Sequence, residues 1–238
     1  MNNPLVFIHG SGDSAPIWRL QSADLGKDYP VYAIDLPGHD ERPDTFSDTV
    51  SIQDYAEAAY AIIHNELRLD RSIIVGHSLG GAVALAMALT YGPELSGLIL
   101  VGTGARLRVL PAMLEATLTQ PAEAHRALAA LAITEANRDI VMSSILRDQI
   151  EPGPTILHRD LAACDKFDCM ARLAEIHLPT LIICGNADRL TPAKYSQYLH
   201  DHLQGSTLRI IPNAGHYVMR EQPAAVNQAI RDWLITLS

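Results

Sequence analysis

Residues 76–80 are Gly-His-Ser-Leu-Gly, and the interpretation of the whole chain starts from this stretch. Residues 72–75, Ser-Ile-Ile-Val, form a short apolar and β-branched segment that predicts a buried strand. Residues 82–91 are rich in Ala, Leu and Met and predict a buried helix. A serine between a strand and a helix, with a glycine two positions away on each side, is the pattern of a nucleophile elbow.

The spacing of this motif has a steric reason. Gly76 and Gly80 leave room at the point where strand and helix nearly touch. The turn lifts the Ser78 hydroxyl above the sheet and aims the backbone N–H of Leu79 at the same point, near a helix N-terminus. Short glycine patterns also recur by chance, so a plain glycine-rich loop is the alternative, and the strand–turn–helix context favours the elbow.

The composition limits which classes of protein this chain can belong to. The chain has 238 residues, 48% of them hydrophobic and 19% charged, which is typical of one globular domain. Its net charge of −9 argues against nucleic acid or an anionic membrane as a partner. We find no apolar run long enough to cross a membrane and no signal peptide, so we expect a cytoplasmic protein. The three cysteines show no CxxC spacing and predict reduced thiols.

Apolar strand segments alternate with helical segments along most of the chain, which predicts an α/β fold with a parallel sheet and helices on both faces. The six predicted strands are 5–8, 31–34, 72–76, 97–101, 180–184 and 207–211. We expect the strand at 31–34 to lie at an edge of the sheet, where some other element must cover it.

The alternation stops between residues 105 and 173. Helical patterns at 111–119, 121–132, 134–149 and 154–163 follow one another without a strand, and three of them begin with proline. The sequence therefore predicts an inserted all-helical cap at 105–173, with residues 1–104 and 174–238 forming the core.

A serine hydroxyl needs a base to become a nucleophile, and the base needs an acid to orient it. Asp188 and His216 each follow a predicted strand, and the carboxyl ends of parallel strands share one edge of the sheet. Their order after Ser78 is the one expected for a nucleophile elbow. Asp35 also follows a strand, but we favour Asp188. His77 flanks the serine, and we expect its side chain to point away and pack.

With His9-Gly10, the Asp-Leu-Pro-Gly-His stretch at 35–39 and Gly215-His216, these motifs make the chain resemble the α/β-hydrolase superfamily over nearly its whole length. It is similar to the small carboxylesterases and enol-lactonases of that superfamily that carry a helical cap. The resemblance implies an α/β-hydrolase fold with a mostly parallel sheet of about six strands.

The resemblance also implies roles for individual residues. Ser78 would be the nucleophile, His216 the base and then the acid, and Asp188 the group that orients it. The backbone N–H groups of Ser11 and Leu79 would form the oxyanion hole. His9 would fix the oxyanion loop by hydrogen bonds, and no metal or organic cofactor is implied.

One tryptophan and several apolar residues of the predicted cap could line an acyl pocket, although ordinary packing between cap and sheet would account for them equally well. These candidate substrate-binding residues are Trp18, Leu107, Leu110, Met113 and Leu114.

The sequence therefore predicts a serine hydrolase, a carboxylic-ester hydrolase that cleaves a small ester or lactone through an acyl-enzyme. Carbon–carbon bond hydrolysis, cofactor-free perhydrolysis and hydroxynitrile cleavage use the same triad and stay open. A ligand-binding receptor on a hydrolase scaffold is the alternative from another class. A monomer and a homodimer are both compatible with the sequence.

Overall fold

The computed structural model describes residues 3–46, 49–148 and 154–237. A six-stranded sheet in the order β2-β1-β3-β4-β5-β6 forms its centre, and every neighbouring pair of strands is parallel. The strands are β1 Leu5–Ile8, β2 Val31–Ile34, β3 Ile73–His77, β4 Gly97–Val101, β5 Thr180–Gly185 and β6 Thr207–Ile211. The predicted fold class, the six strands and the edge position of β2 are confirmed.

The α-helices connect the strands and fill the long segment between β4 and β5. They are α1 Arg19–Leu25, α2 Ile52–Ala61, α3 Leu79–Tyr91, α4 Pro111–Thr119, α5 Pro121–Ala132, α6 Glu135–Asp148, α7 Pro154–Lys166, α8 Ala193–His202, α9 Val218–Glu221 and α10 Pro223–Ile235. Shorter 3-10 turns occupy Ala15–Trp18, Gly92–Glu94 and Met170–Glu175, and a π-helical turn at Ile62–Glu66 extends α2. Residue 149, the last of the predicted 134–149 helix, lies outside the described residues.

The sheet has apolar residues on both faces, because successive side chains of a strand point to opposite sides. In β1, Val6 and Ile8 contribute to the hydrophobic cluster that packs α2, α3 and α8. Leu5 and Phe7 contribute to the opposite cluster, which packs α1 and α10. Helices on both faces explain why β1, β3, β4 and β5 are continuous apolar runs that are fully buried.

Helices α4 to α7 all lie between β4 and β5 in the chain and contact one another. Val141 and Ile145 of α6 belong to the same hydrophobic cluster as Leu5 and Phe7 of β1, and α7 contacts α3. The inserted helices thus pack on the core and share its apolar surface. The division into a core and a cap at residues 105 and 173 stays a prediction.

The edge strand β2 is half-buried over most of its length. Helix α1 and the 3-10 turn before it contact this strand. In the part of the chain that the structure describes, no helix combines the length and the apolar character needed to cross a bilayer.

Candidate active site

Ser78 lies between β3 and α3 with a strained backbone, at φ 52° and ψ −114°. Its N–H donates to the Val101 carbonyl at 3.0 Å, and its own carbonyl accepts from Gly81 N at 2.9 Å and from Thr103 Oγ1 at 2.8 Å. A serine with positive φ costs about 1–3 kcal/mol and persists only where the surroundings impose it. These bonds hold the serine at the carboxyl end of β3.

The two motif glycines allow the close approach that this turn requires. A Cβ at Gly76 would overlap the Gly80 carbonyl oxygen, and a Cβ at Gly80 would overlap the Ile8 carbonyl oxygen. Both obstacles are backbone atoms of the sheet and of α3, which cannot move aside. The steric reason inferred from the sequence therefore applies at both positions.

Asp188 and His216 meet at the same edge of the sheet. The His216 Nδ1–H donates to Asp188 Oδ2 at 2.9 Å, and both side chains are buried. Asp188 Oδ1 accepts the backbone N–H groups of Leu190 and Thr191, each at 2.9 Å. Burial alone would favour the neutral acid, but the His216 imidazole and the Thr191 hydrogen bonds outweigh it and lower the pKa of Asp188. This carboxylate is therefore ionised and held in one orientation.

Thr191 is a member of this constellation that sequence reasoning missed. Its hydroxyl donates to Asp188 Oδ2 at 2.8 Å and lies 3.1 Å from His216 Nδ1. The only local signal was its place three residues after the aspartate, just before α8.

Ser78 and His216 line the same cavity. Among the described residues no hydrogen bond joins the Ser78 hydroxyl to the His216 imidazole. A contact of this kind often tightens only when substrate is bound.

His77 packs under His216, with ring centroids 4.7 Å apart. Its Nε2–H donates to the His216 carbonyl oxygen at 3.1 Å. Burial, followed by the charge of His216, lowers the pKa of His77 well below its usual value, so the ring is neutral. The expectation that His77 packs was incomplete, because it also holds the backbone of His216.

The His9 side chain holds the loop after β1 in place through two hydrogen bonds. The His9 Nδ1–H donates to the Gly10 carbonyl at 2.9 Å, and His9 Nε2 accepts the Leu36 N–H at 3.1 Å. Burial and the neighbouring His39 lower the pKa of His9 to about 3, so the ring is neutral, and its two hydrogen bonds require the proton on Nδ1. Ser11 in this loop lines the cavity, and Leu79 is the first residue of α3.

Asp160 of α7 also holds this loop in place, and no pattern in the sequence indicated this role. Its buried carboxylate accepts Gly12 N–H and His39 Nε2–H, each at 2.9 Å, and the Tyr55 hydroxyl. Burial opposes both charges, but each partner stabilises the other, so the pKa of Asp160 is lowered and the pKa of His39 is raised. A buried ion pair thus joins α7 to the core.

The cavity has a volume of about 220 Å³. Of the five candidate pocket residues, Leu107, Leu110 and Met113 line this cavity, and Trp18 and Leu114 do not. Trp18 is fully buried, with its ring centroid 5.0 Å from that of Phe7. Leu114 follows Met113 by one residue and is therefore rotated by about 100° from it around the axis of α4. The wall residues that no sequence pattern singled out include His125, Leu128 and Leu131 of α5 and Leu161 and Cys164 of α7.

No group of three or more His, Cys, Asp or Glu within the described ranges could hold a metal ion. The three cysteines are free thiols. The absence of a cofactor stays a prediction.

Comparison with known proteins identifies the family. The alpha/beta hydrolase family matches residues 5–229. A curated relative, the pimeloyl-[acyl-carrier protein] methyl ester esterase of Neisseria meningitidis serogroup C, is 30% identical over 244 residues, which cover 97% of this chain and 93% of that protein.

Solved structures agree with this match. A thermophilic esterase from Thermogutta terrifontis with malate bound superposes with a TM-score of 0.89 at 25% identity, covering 100% of this chain and 91% of that one. Another thermophilic esterase has a TM-score of 0.83 at 34% identity, covering 98% and 90%. These relatives confirm the resemblance and the predicted enzyme class, a carboxylic-ester hydrolase. The chain belongs to the alpha/beta hydrolase family.

Proposed function

We propose that this protein hydrolyses a small ester or lactone through an acyl-enzyme formed on Ser78. The observation that supports this proposal is the buried pair of Asp188 and His216, joined at 2.9 Å, with His216 on the wall of the cavity that Ser78 also lines. An ionised, oriented carboxylate behind an imidazole is what a serine needs to become a nucleophile.

In the first half-reaction, His216 takes the proton of Ser78 while Oγ attacks the substrate carbonyl carbon. Asp188 stabilises the imidazolium that forms. The negative charge on the carbonyl oxygen is met by the N–H groups of Ser11 and Leu79, each worth on the order of 3 kcal/mol. His216 then gives its proton to the departing alcohol oxygen.

In the second half-reaction, water attacks the acyl-enzyme. His216 takes a proton from this water, the tetrahedral species collapses, and the Ser78 oxygen leaves with the proton that His216 returns. The product acid is released and the free serine is restored, so the cycle consumes one water for each ester.

The wall of the cavity favours a small and largely apolar substrate, because most of the surface that lines it is apolar and six leucines contribute to it. The name of the curated relative specifies a methyl ester. We therefore place methyl esters first among the candidate substrates, ahead of larger alkyl esters and lactones.

Replacing Ser78 by alanine tests the proposal. Ser78→Ala should lower kcat on a responsive ester by roughly 10⁴-fold or more, because the nucleophile is lost. Ser22→Ala, a change in α1 away from the cavity, serves as the control and should keep full activity. A fluorophosphonate should label Ser78 in the wild-type protein only. An active Ser78→Ala variant would refute the mechanism.

The substrate panel also separates the other reactions that this triad supports. p-Nitrophenyl esters, methyl esters, lactones and dienoic acids, followed by product analysis, distinguish ester cleavage from carbon–carbon hydrolysis and perhydrolysis. A folded wild-type protein that binds esters without turning them over would favour the receptor alternative.

A further inference from the structure

His125 is one of the polar side chains that line the cavity without a role in the catalytic cycle of Ser78 and His216. His125 of α5 is only 4% exposed and lines the cavity together with these two residues. Its Nε2 has no hydrogen-bond partner among the described residues. A Cβ placed on Gly12 would lie 3.3 Å from this nitrogen, so the imidazole edge is beside the oxyanion loop.

The surroundings of His125 keep it uncharged. Burial lowers its pKa, so the ring is neutral at physiological pH, with one nitrogen able to donate a hydrogen bond and the other able to accept one. Leu128, Leu131 and Leu161 contribute apolar surface to the same wall. A buried polar atom without a partner is costly, and natural proteins keep few of them.

We propose that His125 is a specificity-determining residue that hydrogen-bonds a hydroxyl or carbonyl oxygen of the substrate outside its scissile carboxyl group. The substrate class is then an ester with a neutral oxygen-containing substituent, such as a hydroxy or oxo ester. This inference rests on the proposed function and narrows it. A neutral imidazole can bond either a hydroxyl or a carbonyl, whereas a purely alkyl substrate would offer the His125 ring no polar partner in the cavity.

Matched ester pairs test the inference. On the acyl side, methyl butanoate is compared with methyl 3-hydroxybutanoate and methyl 3-oxobutanoate. On the alcohol side, propyl butanoate is compared with 2-hydroxyethyl butanoate. The wild-type kcat/KM should favour the oxygen-substituted ester on at least one side. His125→Leu should lose about tenfold on that ester and less than about twofold on its plain partner, as expected for one neutral hydrogen bond.

Two further variants separate binding from packing. His125→Asn keeps a hydrogen-bonding group and should retain part of the preference. His64→Leu replaces an exposed histidine outside the cavity and should leave both members of each pair unchanged. Thermal melts check that each variant is folded.

An equal loss on both members of a pair in His125→Leu, or a wild-type enzyme without preference on either side, overturns the inference and leaves ester hydrolysis intact. If the folded wild-type protein hydrolyses none of these esters and no other ester in the panel, the proposed function itself fails, and this inference fails with it.

Discussion

At the scale of single residues, the site depends on a serine that the protein holds in an unfavourable backbone conformation. Ser78 has a positive φ, and tightly packed glycines on both sides keep β3, α3 and β1 in the positions that impose it. The strain is local, but the atoms that enforce it belong to three different elements. A substitution at one of these glycines therefore disturbs the positions of all three elements.

Gly80→Ala should be strongly destabilising. Its Cβ would collide with the Ile8 carbonyl oxygen and lie 2.6 Å from that of His9, both backbone atoms of the central region. We expect a loss of about 3 kcal/mol in the free energy of unfolding, measured by urea denaturation. Gly92→Ala, where a Cβ would meet nothing within 4 Å, should change stability by less than about 1 kcal/mol. Equal stability of the two variants would contradict the packing argument.

His9 should make the fold sensitive to acid. Its pKa is about 3 in the folded protein and about 6.5 when unfolded, so its contribution is complete above pH 6.5 and is lost as pH falls toward 3. Between pH 6.5 and 4.5 this amounts to roughly 2–3 kcal/mol. His9→Gln should show a shallower decrease over this range in urea unfolding at several pH values. An unchanged slope would mean that His9 is protonated in the native state.

At the scale of elements, α7 joins the inserted helices to the loop that carries Ser11. Asp160 bonds the Gly12 N–H and the core residue His39, and the adjacent Arg159 donates to the Pro37 carbonyl at 3.0 Å. A buried ion pair is weak evidence for stability, because desolvation offsets its attraction. Its geometric effect is clearer, since it fixes where the loop that carries Ser11 lies relative to α7.

Asp160→Asn should impair both folding and catalysis. An amide cannot accept all three hydrogen bonds, and His39 loses its counter-charge, so we expect a loss of about 3 kcal/mol in unfolding free energy. A displaced oxyanion loop should also lower kcat by about tenfold with little change in KM. Asp44→Asn, which breaks only the partly exposed ion pair with Arg159, should cost about 1 kcal/mol or less and leave kcat unchanged. A normal kcat in Asp160→Asn would show that the loop holds its position alone.

At the scale of the whole molecule, the inserted helices and the sheet enclose the cavity between them. Leu110, just before α4, lines this cavity although its side chain is 76% exposed. Ile140 on α6 is 75% exposed and lies outside it. The two residues have almost the same exposure and differ in their place relative to the cavity, which makes them a matched pair.

Leu110→Ser should raise KM for butyl and hexyl esters about fivefold, because apolar contact with the substrate is lost. Ile140→Ser should leave KM unchanged. Both side chains are exposed, so the unfolding free energy of each variant should stay within about 0.5 kcal/mol of wild type. Steady-state kinetics on an ester series and urea unfolding measure these effects. Equal KM values for the two variants would place the substrate away from Leu110.

The cytoplasmic location and the monomeric or dimeric state remain predictions from the sequence.

Local patterns predicted most of the framework. All six strands were predicted to within about one residue at each end, because buried parallel strands are short apolar runs bounded by turns. The pairing of Asp188 with His216 followed from the rule that groups after parallel strands share one edge. The sequence patterns did not indicate a role for Thr191, His125 or Asp160. A threonine shortly after an aspartate, or a lone polar residue in an amphipathic helix, is common at positions far from any site.

The sequence by itself determined the fold, the elbow and the candidate triad, because strand periodicity, glycine sterics and the order of residues along a parallel sheet are properties of the chain read locally. Only the tertiary structure decided which residues of the inserted segment line the cavity, that Trp18 lies outside its wall, and that Asp160 reaches the loop that carries Ser11. These outcomes depend on how each inserted helix is rotated against its neighbours. That rotation is set by packing between residues far apart in the chain, which no local pattern encodes.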